Sequence, residues 1–263
     1  MTSEKQITMK TLLNDLWRLS LGVILLPFSI SFALAQETPR GPLVTMTEFT
    51  IKPGHEMQFR EGVKAWKACY LQNNGDWTWR MWSRQQGEGN VYVLASEMQN
   101  WAEMDKTDEN GKKCQMMAMN MINPHIEKAV NHVTRLQLDI SSSNPFEGEV
   151  IQVELYKVNP ANGYIMMEVV KEVEAIRKKA GKTIRGYWYS WITADPESPN
   201  YHVVTAFKDF AAMDIVQEGV WETVEKEAGK AKRDELQSAF RSSMESSWSY
   251  VYKLDKEISR PSK

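Results

Sequence analysis

The stretch LVTMTEFTIKPGHEMQFREGVKAW, residues 43–66, returns in outline as VIQVELYKVNPANGYIMMEVVKEV, residues 150–173. Both open with alternating side chains, the pattern of a half-buried strand. Both then turn, at Lys52-Pro53-Gly54-His55 and at Asn159-Pro160-Ala161-Asn162-Gly163, residue types that favour tight turns. Both continue into helical spacing, with Met57, Val63, Trp66 and Tyr70 as the apolar positions of the first. The correspondence runs on. WTWRMWSRQQGEGNVYVLASEMQNWAEMD, residues 77–105, is answered by IRGYWYSWITADPESPNYHVVTAFKDFAAMD, residues 184–214, and HVTRLQLDI, residues 132–140, by SYVYKLDKEI, residues 249–258. A repeat this long exceeds a solenoid unit. It fits a duplicated small domain.

Each half reads strand, helix, strand, strand, helix, strand. The expected elements of the first half (43–140) are strands at 44–49, 77–84, 91–96 and 132–138, a helix over 56–71, and mostly helix from Asn100, as a capping residue, to Val130. The second half (150–258) gives strands at 151–158, 185–193, 202–207 and 248–254, a helix over 164–180, and a long helix over 221–246. Ser141-Ser142-Ser143-Asn144-Pro145 reads as a solvated linker within 141–149. A β-α-β-β-α-β unit is ferredoxin-like: two helices cover one sheet face, and the other face must find a partner. Two such units in one chain can cover each other.

On this order, and on the paired phrases MQNWAEMD and FKDFAAMD, the chain resembles the dimeric α/β-barrel superfamily in a tandem form. The fold class is α+β, with two ferredoxin-like repeats forming an intramolecular barrel. The superfamily includes cofactor-independent monooxygenases, haem-degrading enzymes, isomerase-like and stress-response proteins. The resemblance implies a site between helices and sheet, or within the barrel.

Lys5, Lys10 and Arg18 precede an apolar run from Leu19 that ends Ala33-Leu34-Ala35. That is the pattern of a cleaved signal peptide over 1–35, and it predicts a periplasmic or secreted protein with no stable membrane insertion after cleavage. With 32 basic and 34 acidic side chains, the chain lacks the basic footprint of a nucleic-acid binder. The two cysteines, Cys69 and Cys114, are free to pair in an exported protein, but spacing alone does not decide it.

Candidate site residues come from the two aromatic strands. Side chains alternate faces along a strand, so Arg80, Trp82 and Arg84 share one face, as do Tyr187, Tyr189 and Trp191. They read as core or as a flat-walled pocket, with an Arg fork for an acidic group. His132 and His202 lie on strands, and Glu154 lies in one beside Tyr156. Each is a candidate acid or base if buried. The run Cys114 to Met121 carries sulfur ligands that suit Cu(I), but its spacing reads as one packed helical stripe. No HxH, HExxH or CxxC spacing predicts a metal site. No P-loop, GxSxG elbow or dinucleotide fingerprint appears either.

The leading expectation is an exported protein that binds a small hydrophobic or aromatic molecule, with monooxygenase-like turnover open to it and no cofactor required. The alternatives are a non-catalytic structural or interaction module, and a haem binder using His132 or His202 as axial ligand. The sequence leaves homo-oligomerisation open.

Overall fold

The structure, a computed structural model, describes residues 40–261. The expected signal peptide lies outside the described residues. The strands are β1 (Leu43–Ile51), β2 (Arg80–Gln86), β3 (Val91–Met98), β4 (Ile126–Leu136), β5 (Val150–Val158), β6 (Gly186–Thr193), β7 (Tyr201–Phe207) and β8 (Met244–Leu254). The helices are α1 (Glu56–Gln72), α2 (Glu109–Lys113), α3 (Gln115–Met121), α4 (Gly163–Lys179), α5 (Val220–Ala228) and α6 (Lys230–Ser242).

All eight strands close into one antiparallel barrel in the order β1-β3-β2-β8-β5-β7-β6-β4. Within it, β4-β1-β3-β2 and β8-β5-β7-β6 are neighbours in the same sequence of roles. The seams are β2 with β8, where Trp82 faces Leu254, and β4 with β6, where Thr134 faces Trp191. Closure leaves no open sheet edge.

The pleat sorts side chains into two sets. Trp82, Ile151, Tyr187, Val204 and Tyr252 form the interior cluster. On the outer face, Phe59 and Val63 of α1 pack on Ile51, Met81 and Tyr92. Met166 and Val170 of α4 pack on Tyr156, Trp188 and Val203. Both helices bury positions three or four apart, as an amphipathic helix on a sheet must.

Each half ends in the same clasp. After β4, Gln137 N–H donates to Trp188 O at 2.8 Å, Ser141 Oγ accepts from Trp188 N at 2.8 Å, and Ser142 N–H donates to Gly186 O at 2.9 Å. After β8, Asp255 N–H donates to Met81 O at 2.8 Å, Ser259 Oγ accepts from Met81 N at 2.8 Å, and Arg260 N–H donates to Trp79 O at 2.8 Å. Ile140 and Ile258 are the buried anchors. The connection expected to be solvated is therefore structured at its start. Further on, Ser143, Asn144, Pro145 and Glu147 are exposed, but Phe146 turns inward against Trp82 and Tyr187.

Several boundaries differ from expectation. The aromatic strand begins at Arg80, because Trp77 and Trp79 serve the helix layer. Residues 101–105 and 211–214 form single 3-10 turns, and Asn100 makes no side-chain cap. The helical pattern after Gly111 stops at Met121, and β4 starts at Ile126. The long second-half helix breaks at Gly229, whose φ of 85° suits glycine. The Cys114–Met121 stripe packs only in part: Cys114 is buried, while Met116, Met119 and Met121 are exposed. Cys69 and Cys114 form a disulfide, tying α1 to the α2–α3 junction.

Candidate functional site

Between α4–α6 and the outer face of β5-β7-β6 lies a cavity of about 320 Å³, within the roughly 300–1,000 Å³ of small-molecule sites. The register shows why it exists here and not under α1. Helices α1 and α4 both have 17 residues. Thr47 pairs with Leu94 as Glu154 pairs with Val203, and Trp79 is held by its clasp as Gly186 is held by the other. These correspondences place Trp66, Tyr70 and Trp79 opposite Val173, Arg177 and Gly186. Under α1 the aromatics fill the layer. Trp66 stacks on Tyr70 at 5.0 Å and meets Trp79 edge-on at 5.6 Å, and Trp77 lies 5.0 Å from Trp79. Under α4 a valine, an arginine and a glycine leave room. A Cβ on Gly186 would meet Val203 Cγ2 at 2.4 Å, so the strand accepts only glycine without rearrangement.

The cavity wall is apolar at Val169, Val173, Trp188, Val203, Trp221 and Phe240. The indole of Trp188 stacks on Tyr156 at 5.6 Å. Four charged groups reach it: Glu154, Glu174, Arg177 and Arg185. Arg177 is only 3% exposed. Its Nη1 donates to both Glu174 oxygens at 2.7 and 2.9 Å, and its Nη2 donates to Thr183 O at 3.2 Å. Its Nε–H is buried without a protein partner. Burial raises the Glu174 carboxyl above its usual range, against the opposing pull of Arg177 and Arg185. Tyr156 donates its hydroxyl to Glu154 Oε2 at 2.6 Å. Burial, then the Glu154 charge, pushes the Tyr156 phenol far up, so it stays protonated.

Glu154 therefore sits on the helix-covered face rather than on the barrel lining, and Tyr156 and Phe49 go with it. The other expected residues do meet inside the barrel: Arg80, Trp82, Tyr187, Tyr189, Trp191, His132 and His202 are interior. The interior is mostly filled. Its two voids measure about 90 and 110 Å³, below the size of a small-molecule site. Arg84 is no free anchor. Its side chain is 5% exposed and pairs with Glu48 at 3.1 Å. It also donates to Tyr252 Oη and Glu88 O and lies 3.9 Å over the Tyr250 ring, so it struts one end of the barrel. His132 packs on Trp191 at 4.5 Å. His202 accepts from Trp191 Nε1 at 2.9 Å and stacks on Tyr189 at 4.7 Å. Burial lowers its pKa to about 3. Haem does not fit these histidines: the voids beside them are too small, and no histidine lines the cavity beneath α4–α6.

Comparison with solved structures agrees with the barrel topology. The chain is similar to a candidate monooxygenase from Lactobacillus acidophilus NCFM, at 10% identity and a TM-score of 0.51, covering 82% of this chain and 95% of that one. It is likewise similar to a candidate monooxygenase from Fusobacterium nucleatum subsp. nucleatum, at 10% identity and a TM-score of 0.52, covering 83% and 94%. The fold is the dimeric α/β barrel. At this identity the likeness speaks for the fold alone. No protein-family model matches the sequence, and no curated protein matches it.

Two features escaped the sequence reading. Neither the pair Glu174 and Arg177 nor Gly186 is among the candidate site residues read from the sequence. The signal lay in the matched positions of the two halves: three bulky aromatics in one stand against valine, arginine and glycine in the other.

Proposed function

We propose that this protein binds a small, largely apolar aromatic molecule in the cavity beneath α4–α6. The carrying observation is the 320 Å³ space walled by Trp188, Trp221 and Phe240 with Glu154 and Arg185 at its edge. The wall balances two carboxylates against two guanidiniums, which favours a neutral ligand. Trp188, Trp221 and Phe240 supply flat surfaces, and Glu154 accepts from a ligand hydroxyl.

Titration with 2-naphthol, followed by tryptophan fluorescence and calorimetry, tests this. Saturable one-to-one binding is expected, weakened about tenfold, or about 1.4 kcal/mol, by Trp221→Ala. An absence of saturable binding, together with no small molecule retained by the purified protein, overturns it.

Turnover is the second reading, and Glu154 favours it. A carboxylate on an apolar wall is placed to take the proton of a bound phenol. Two of the similar structures are named as candidate monooxygenases. Oxygen uptake with a hydroquinone probe, lost in Glu154→Gln, is the expected sign.

The same proposal includes the chain's history and location. Two ferredoxin-like repeats, 43–140 and 150–258, account for the matched strand order and the matched clasps. Export after cleavage of residues 1–35 accounts for a disulfide, since such bridges persist in oxidising compartments. N-terminal sequencing of periplasmic or secreted material that finds residues 19–35 intact rules out the cleavage. No described helix is long and apolar enough to cross a membrane.

A further inference from the structure

The barrel interior holds a plug. Phe146 lies on a segment whose other members, Ser143 to Pro145 and Glu147, are exposed. Its ring meets Trp82 edge-on at 6.1 Å and leans on Tyr187 at 5.0 Å. The Arg80 guanidinium sits 5.5 Å from the ring centroid and has no ion-pair partner among the described residues. The plug is held by the Tyr187 hydroxyl, whose one proton is shared between Pro145 O at 3.0 Å and Asn144 O at 3.2 Å.

Behind the ring, polar groups converge on the 90 Å³ void. Thr134 is wholly buried, and its Oγ1 has no partner. His202 Nδ1 accepts a hydrogen bond from the Trp191 indole N–H. Indole nitrogen only donates, so the neutral ring carries its own proton on Nε2, as a second donor. Glu97 is the one carboxylate on this wall, and it is exposed. This void and the 110 Å³ void share Met46, Trp82, Ala95, His202 and Val204. Withdrawal of Phe146 adds its side-chain volume to the space.

We propose that the barrel is a second ligand site, for a monocyclic aromatic carboxylate whose ring replaces that of Phe146 between Trp82 and Tyr187 and whose carboxylate pairs with Arg80. The plug shows the shape the site takes, and the cation over it shows the missing charge. Thr134 and His202 donate to the remaining oxygen atoms. This site is separate from the cavity beneath α4–α6.

Benzoate titrated into the full chain is the test, with calorimetry as the readout. The native protein is expected to bind it saturably. Phe146→Ala, which removes the competing ring, should bind about tenfold tighter, and Arg80→Gln about tenfold weaker. Saturating 2-naphthol should leave the benzoate midpoint unmoved. Cooperative urea unfolding establishes that each variant folds, and Phe146→Leu stands in if the alanine variant does not. Four results overturn the proposal: no binding to the native protein, binding only to the Phe146 variant, indifference to Arg80→Gln, or competition by naphthol, which would place benzoate beneath α4–α6.

Discussion

The layer under α1 and the layer under α4 are built on the same strand order and the same clasp, yet one is solid and one is hollow. Under α1, Trp66, Tyr70 and Trp79 interlock, Trp79 Nε1–H donates to Ile258 O at 2.8 Å, and Trp77 N–H donates to Tyr70 Oη at 3.0 Å. Under α4, Val173, Arg177 and Gly186 occupy the equivalent places, and 320 Å³ stays open. The α1 layer has interlocked aromatic rings and a covalent tie. The other gives up packing and keeps a buried ion pair beside a cavity. Two halves with the same strand order permit this division, because the solid layer can stabilise a barrel in which the hollow layer is less densely packed.

The largest expected effect comes from hollowing the solid layer. Trp79 is almost fully buried, and Trp79→Ala should cost about 3–5 kcal/mol, the range for deleting a large core aromatic. Urea denaturation measures it. A loss under about 1 kcal/mol would mean that the aromatic cluster is not what makes this layer solid.

Next is the tie that the first layer alone possesses. The Cys69–Cys114 bridge closes a loop of 45 residues, and Cys69→Ser with Cys114→Ser should cost about 2–4 kcal/mol through the freer unfolded chain. Unfolding midpoints with and without reductant give the same comparison without mutation. Unchanged midpoints would show that the solid layer needs no tie.

The inner faces differ too. Tyr189 pairs with His202 where Trp82 pairs with Val93, so at this matched position the second half buries an imidazole and the first half a valine. The folded imidazole has its pKa lowered to about 3 from 6.5. Below pH 6.5 the unfolded chain takes up a proton that the folded chain refuses. Stability from this group is therefore full above about pH 6.5 and is lost as pH falls toward 3, with a slope near 1.4 kcal/mol per pH unit. His202→Gln should remove that slope from the acid limb of the stability curve. An unchanged slope would assign acid sensitivity to other groups.

The general architecture was legible in the sequence because alternation and helical spacing are local signals, repeated twice. The strand faces were legible as well: Arg80 with Trp82, and Tyr187 with Tyr189, do meet inside the barrel. The cavity was not, because no single residue announces an absence of packing. Nothing in the sequence marks Val173 or Arg177 singly, and only their juxtaposition under α4 makes a site. Arg84 misled for the same reason: its partners Glu48 and Tyr252 come from distant strands, and nothing local shows that it is already satisfied. Phe146 hid in a polar segment whose composition spoke for solvent.

The smallest effect on stability should come from filling the hollow layer, and it decides most about function. Val173→Trp puts into α4 the side chain that α1 carries at Trp66. Overpacking a tight core costs about 1–3 kcal/mol, but here the added ring has a cavity to enter, so stability should change by less than about 1 kcal/mol. The same ring should remove the space a ligand needs, and 2-naphthol affinity should fall at least about tenfold, or about 1.4 kcal/mol. The two readouts separate the possible failures. A loss of several kcal/mol would mean that the space is not free to accept a ring. Retained stability with retained affinity would mean that the layer is hollow but the ligand binds elsewhere. Only stability kept and binding lost fits a layer opened for a ligand by the exchange of three aromatic side chains for valine, arginine and glycine.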